Sequence, residues 1–199
     1  MPFPSPPWQL RARAWLSVFV VRPGGDIRSG HDDGGARPGG VYAAAFVDYQ
    51  PGGVLAYHEL LVARVVREGR HPALRITDIW VDSAASLVGG RSLWAIPKQA
   101  ADLPLDVDGR RASVSATTDR PVARARFSSG PALVRLPFAL STSQLREGGR
   151  HVVAPFAGSG RVGPCRAAWQ FAPGGPLGFL VGRRPVASFH LREARLRFG

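Results

Sequence analysis

Apolar residues along this chain recur in short blocks, most of five to twelve residues, cut by glycine- and proline-rich turns. Leu10–Val21 carries Trp15, Val18, Phe19, Val20 and Val21, and predicts a first strand. Val41–Tyr49 predicts a second, closed by Gln50-Pro51-Gly52-Gly53. Leu55–Arg67 and Ala73–Asp82 predict a third and fourth, joined by the hairpin-like link Glu68-Gly69-Arg70-His71-Pro72. Ser83–Gly90 reads as a turn or short helix with glycine at its exit, and Arg91–Gln99 as another strand. Further apolar segments at 101–107, 112–118, 122–128, 132–140, 151–156, 165–171 and 186–198 are separated by turn signals. Ser141–Glu147, opening on an N-cap type residue, predicts a helix. Closely spaced strands with few helices predict a mainly β fold, an antiparallel barrel or sandwich with one or two short helices. No internal repeat or linker divides residues 1–199, so one domain is expected, with a mobile Gly-rich loop at 22–40.

Composition narrows the function classes. No apolar run approaches the ~18 residues of a membrane-spanning helix, and the proline-rich start lacks the basic and apolar regions of a secretion signal. One cysteine, Cys165, permits no intrachain disulfide, which fits a cytoplasmic setting. The net charge of +12 suits an anionic partner, but the arginines are scattered, with no run longer than two. Asparagine is absent and lysine nearly so, the bias of a GC-rich genome; nucleic-acid binding is not expected. His31, Asp32 and Asp33 lie together in the loop without a second cluster, so no metal site is expected, and no cofactor motif holds. Gly158–Gly163 matches the spacing of a dinucleotide-binding turn, but Pro164 follows directly and the chain ends too soon for a βαβ unit. His58, His71, His151 and His190 are isolated in sequence and read as packing or surface residues.

Lys98 changes the picture most. It is the only lysine; the other 25 basic residues are arginine. Arginine serves wherever a cation is needed, but its guanidinium does not become a neutral nucleophile. On a strand, Trp94, Ile96 and Lys98 would share one face, and an amine among apolar groups is pushed toward its neutral form. Pro97 removes a ladder donor and places Lys98 at an edge or strand end. On the third strand Tyr57, Glu59 and Leu61 share a face, and a carboxylate buried there needs a cation or a proton-transfer role.

Tyr57-His58-Glu59, Trp80-Val81-Asp82 and Gly90-Arg91-Ser92-Leu93-Trp94-Ala95-Ile96-Pro97-Lys98, in this order, resemble the motifs of the acetoacetate decarboxylase superfamily. The Pro7–Arg13 opening is similar to the start of family members. The resemblance covers about residues 7–103 and implies a cone-shaped β-barrel with an internal active site, in homo-oligomers. It implies that Lys98 forms the Schiff base, that Glu59 shuttles protons, and that Arg13 contacts a substrate carboxylate. Tyr57, Arg91, Trp94 and Gln99 would border the substrate. The partner would be a small-molecule keto acid or keto compound. Three departures point to a different or larger substrate: Gln99 follows the nucleophile where the decarboxylases carry lysine, the second strand has no glutamate, and Ser92 replaces the glutamate of Gly-Arg-Glu. Decarboxylation, and aldol, dehydration or cyclisation chemistry of secondary metabolism, stay open beside a non-catalytic binding barrel.

Overall fold

The computed structural model describes residues 3–22, 37–146 and 148–199. His31, Asp32, Asp33 and most of the 22–40 loop lie outside the described residues. Eleven strands form the bulk of the fold: β1 (Trp8–Val21), β2 (Gly40–Gln50), β3 (Tyr57–Glu68), β4 (His71–Val81), β5 (Lys98–Ala100), β6 (Leu105–Asp108), β7 (Arg111–Thr117), β8 (Pro121–Ser129), β9 (Val134–Leu145), β10 (His151–Phe171) and β11 (Ala187–Phe198). One α-helix, α1 (Ala84–Trp94), and a 3-10 turn at Gly178–Leu180 complete the described elements.

The strands run in the order β11-β1-β2-β3-β4-β9-β10, and β10 pairs back onto β11, closing a barrel. Most pairings are antiparallel; β5 and β9 each meet β4 in parallel. At Cys165 β10 leaves the barrel and continues beside β8, extending through β7 and β6 into a second layer. The segments expected at 151–156 and 165–171 are therefore one strand serving two sheets. Gly158, Gly160 and Gly163 lie inside it, against β11: a Cβ at Gly158 would collide with the Arg195 carbonyl oxygen, and one at Gly163 with His190 Nε2. These glycines let strands approach each other; they do not cradle a nucleotide.

Period-two alternation gives β1 to β4 two buried faces. Leu10, Ala12, Ala45, Val47, Ala63, Ile76 and Ile79 turn into the barrel. Trp15, Phe19, Tyr42, Phe46, Leu60 and Trp80 turn outward, under the second layer with Val114, Phe127 and Phe171. Burial on both faces explains the near-continuous apolar runs in the first half of the chain.

Two expected elements differ. Ser141–Glu147 is not a helix: Ser141 to Leu145 belong to β9 and pair residue by residue with β10, where tertiary pairing overrides a local cap signal. Arg91–Gln99 is not one strand. Helix α1 starts at Ser83, whose side chain accepts the Ser86 N–H, and runs through both glycines to Trp94. Ala95 closes it in the left-handed region (φ 54°), its N–H donating to the Arg91 carbonyl, and Pro97 bars continuation. Gly89 and Gly90 are inside the helix because of what they touch. A Cβ at Gly89 would sit 2.6 Å from the Trp8 ring, and one at Gly90 2.7 Å from Lys98 Cε.

Candidate active site

Lys98 opens the three-residue strand β5, paired in parallel with Ile79 of β4. Its side chain turns with Ile79 into the barrel and is 5% exposed. The stem passes over Gly90, where any side chain would block it. Arg91 Nε donates to the Lys98 carbonyl at 2.7 Å, fixing the backbone of the nucleophile candidate to the helix.

Lys98 Nζ donates to Glu59 Oε2 at 2.8 Å, to Ser86 Oγ at 2.8 Å and to Tyr57 Oη at 3.3 Å. Tyr57 Oη donates to Glu59 Oε2 at 3.3 Å, and Tyr49 Oη to Glu59 Oε1 at 3.1 Å. Both carboxylate oxygens and all three ammonium protons therefore have partners, which is what a buried ion pair requires. The two tyrosine rings stack at 4.4 Å, and Nζ lies 5.2 Å from the Tyr57 ring centroid. Burial, reinforced by the Glu59 charge, pushes both phenols well above the ordinary tyrosine range. They remain hydrogen-bond donors to the carboxylate.

Lys98, Glu59, Tyr57 and Tyr49 line a cavity of about 370 Å³ inside the barrel. Tyr57, Glu59, Leu61 and Ala63 alternate into it from β3, as the strand pattern predicts. Trp94 lines it too, held edge-on between Trp8 and Phe198. It arrives there from the last turn of α1 rather than from a strand shared with Lys98.

The other expected substrate contacts lie elsewhere. Gln99 faces away from Lys98, level with Trp80 in the β4 pairing. Arg91 is exposed on α1 and reaches the site only through the Lys98 backbone. Arg13 occupies the opposite face of β1 from Ala12 and Ala14, and its guanidinium meets Asp48 at 2.6 Å. Arg13 is not among the residues that line the cavity around Lys98. Asp48 also lies 3.6 Å from His58, whose other ring nitrogen meets Asp82 at 3.0 Å. The Val81-Asp82 motif therefore ties the end of β4 to β3 beside Glu59.

Two members of the cluster have no counterpart among the expected site residues. Ser86 is fully buried on the first turn of α1; Tyr49 shares the cavity face of β2 with Val47 and is paired with Tyr57. Tyr49 was open to inference from the period of two once β2 and β3 were aligned. Ser86 was not, because nothing in sequence aims a helix terminus at Lys98. Among the described residues no group of three or more His, Cys, Asp or Glu side chains could hold a metal ion.

Comparisons with known proteins bear on the family and the fold. The family model described as acetoacetate decarboxylase matches residues 36–145, more than half of the chain. No curated protein is significantly similar in sequence. Among solved structures, acetoacetate decarboxylase from Legionella pneumophila subsp. pneumophila str. Philadelphia 1 superposes with a TM-score of 0.67 at 14% identity, over 99% of this chain and 86% of that one. The enduracididine biosynthesis enzyme MppR, complexed with pyruvate, gives a TM-score of 0.63 at 20% identity, over 98% and 89%. An acetoacetate decarboxylase-like enzyme from Sphingomonas wittichii RW1 gives 0.60 at 13% identity, over 96% and 89%. The barrel, its internal cavity and the matched stretch that carries Tyr57, Glu59 and Lys98 lead to one conclusion: the chain belongs to the acetoacetate decarboxylase family.

Proposed function

We propose that this protein is a Schiff-base-forming enzyme acting on a keto acid or keto compound, with Lys98 as nucleophile and Glu59 as its proton-transfer partner. One observation carries the reading: the only lysine of the chain is buried at the wall of an internal cavity, with a carboxylate oxygen 2.8 Å from its nitrogen. A merely structural ion pair is as well placed on the surface; one built into a cavity lies where a ligand can meet it.

The chemistry follows from the groups present. The Lys98 ammonium gives a proton to Glu59, and the neutral amine adds to the carbonyl carbon. Glu59, with Tyr57 3.3 Å from both reacting groups, returns protons to the carbinolamine oxygen, which leaves as water. The resulting iminium is an electron sink: a bond at the adjacent carbon breaks toward it, giving an enamine. Protonation of that carbon and hydrolysis release product and restore the amine. If the broken bond carries a carboxylate, the reaction is decarboxylation; if it carries hydrogen or a carbinol carbon, the reaction is dehydration, cyclisation or aldol cleavage. MppR, a structural relative, binds pyruvate, a carbonyl compound of this general kind.

The test is borohydride reduction during incubation with pyruvate, acetoacetate or a longer β-keto compound, followed by peptide mapping. The expected result is a stable adduct on Lys98. Absence of label with every carbonyl compound removes the covalent reading and leaves a binding barrel.

A further inference from the structure

The walls of the cavity restrict what it can hold. Alternation on three adjacent strands presents Ala12 and Ala14, Ala43 and Ala45, and Ala63 to the interior, and these small side chains create its room. At about 370 Å³, and with a water's share of liquid volume near 30 Å³, it has space for roughly a dozen non-hydrogen atoms. Leu140 and Phe189, each 42% exposed, belong to the same lining and form an apolar rim.

Charge is the sharper constraint. Among the described residues the only charged side chains on the wall are Glu59 and Lys98, already paired with each other. Thr142 spends its hydroxyl on the Ala154 carbonyl, and burial holds His190 below the ordinary histidine range, so it is neutral at pH 7. None of the described arginines is there, and Arg13 is bound to Asp48 on the other face of β1. A keto acid would bring a third charge into an apolar chamber with no free counter-ion among the described residues, which is strongly unfavourable. A neutral carbonyl compound would not. When the amine condenses with it, the C–N bond forms, the carbonyl oxygen leaves as water, and an iminium replaces an ammonium. Glu59 is the counter-ion before and after, the proton passing only between it and the reacting groups, and the net charge of the chamber never changes.

We infer that the substrate is an uncharged, lipophilic ketone or aldehyde of about a dozen non-hydrogen atoms, its carbonyl at Lys98 and its chain along the alanine wall. The covalent step rests on the function proposed above; occupancy by an apolar chain does not. Decarboxylation then drops behind aldol-type and dehydration chemistry, because a neutral substrate has no carboxylate to lose.

The experiment is a series of methyl ketones from butanone to undecan-2-one, with pyruvate beside them, each trapped on the protein by borohydride and read by mass spectrometry. In parallel, undecan-2-ol, which cannot form an iminium, is titrated against the fluorescence of Trp8 and Trp94 on the wall. Half-saturating ketone concentration should fall about fourfold per added methylene until the cavity is filled, and undecan-2-ol should quench and compete. Pyruvate labelling Lys98 at lower concentration than the long ketones overturns the substrate class and keeps the Schiff base. Quenching by undecan-2-ol with no carbonyl ever labelling overturns the Schiff base and keeps the apolar ligand. No quenching and no chain-length dependence overturns the inference.

Discussion

Gly90→Ala separates the chemistry of Lys98 from the stability of the fold. The added methyl would lie 2.7 Å from Lys98 Cε and 2.8 Å from Cδ, where ordinary contact begins at 3.4 Å, so the stem moves by about 0.7 Å or more. Overpacking of that kind costs about 1–3 kcal/mol. Alanine in a helix interior returns about 1 kcal/mol relative to glycine. The net loss is about 0–2 kcal/mol. At 2–4 °C per kcal/mol for a chain of this size, Tm falls by no more than about 8 °C. The amine responds differently, because it is held by three hydrogen bonds to Glu59, Ser86 and Tyr57, and the displaced stem cannot keep all of them. Misplacement of a reacting group by about 1 Å costs on the order of 100-fold in rate. The assay is the rate of borohydride-trapped adduct formation with a labelling ketone, beside a thermal melt. A hundredfold slower label with a nearly unchanged melt is the expected pair of results. Unimpaired labelling, or a melt lowered by more than about 15 °C, refutes the packing argument.

Four further outcomes are expected. Arg13→Ala leaves trapping at Lys98 within about twofold, since Arg13 serves Asp48 on the other side of β1; a large loss would bring Arg13 back into the site. Glu59→Leu and Lys98→Met each strand a buried charge and cost about 3–5 kcal/mol, whereas the double variant regains most of it; additive losses in denaturant titrations would show that the pair is not coupled. All three tyrosines, Tyr42, Tyr49 and Tyr57, are held above the ordinary range, chiefly by burial. The native protein should therefore show little tyrosinate absorbance near 295 nm at pH 10, where the unfolded chain is about half ionised. Between those two ranges the unfolded chain binds fewer protons than the folded one, so stability falls as pH rises above about 10; normal native titration would contradict the buried cluster. Ala45→Leu narrows the alanine wall and should shift the best-trapped methyl ketone to a shorter chain, a shift that competition among the series would reveal.

Where the chain builds regular ladders, its pattern was readable. β1 to β4 are bounded within a few residues by their apolar blocks and turns, and the period of two put Tyr57, Glu59 and Leu61 on one face, which is the cavity face. Lys98 was legible for a different reason, its uniqueness among 25 arginines. The stretch just before it was not. Gly89-Gly90 carries the composition of a helix exit, yet these glycines are selected by contacts with Trp8 and Lys98 from distant parts of the chain, and no local signal reports that. The orientation of Arg13 was not legible for a related reason. The motif supplied its residue type, but whether it reaches Lys98 depends on which face of β1 lines the barrel, and the even-numbered residues do. The long β10 was split in two because its glycines look like turns when the close approach of β11 is unknown.

Each formation and hydrolysis of the Lys98 iminium expels the carbonyl oxygen as water and takes another oxygen from solvent. Exchange of a ketone oxygen in ¹⁸O-labelled water, followed by mass spectrometry of the ketone itself, therefore reads the claimed reaction in the forward and reverse directions at once. The wild-type protein should accelerate exchange well above the buffer rate, and Lys98→Arg, which keeps the cation but not the nucleophile, should return it to that rate. Equal acceleration by Lys98→Arg, or none by the wild-type protein with any ketone, would contradict the assignment of Lys98 as the nucleophile.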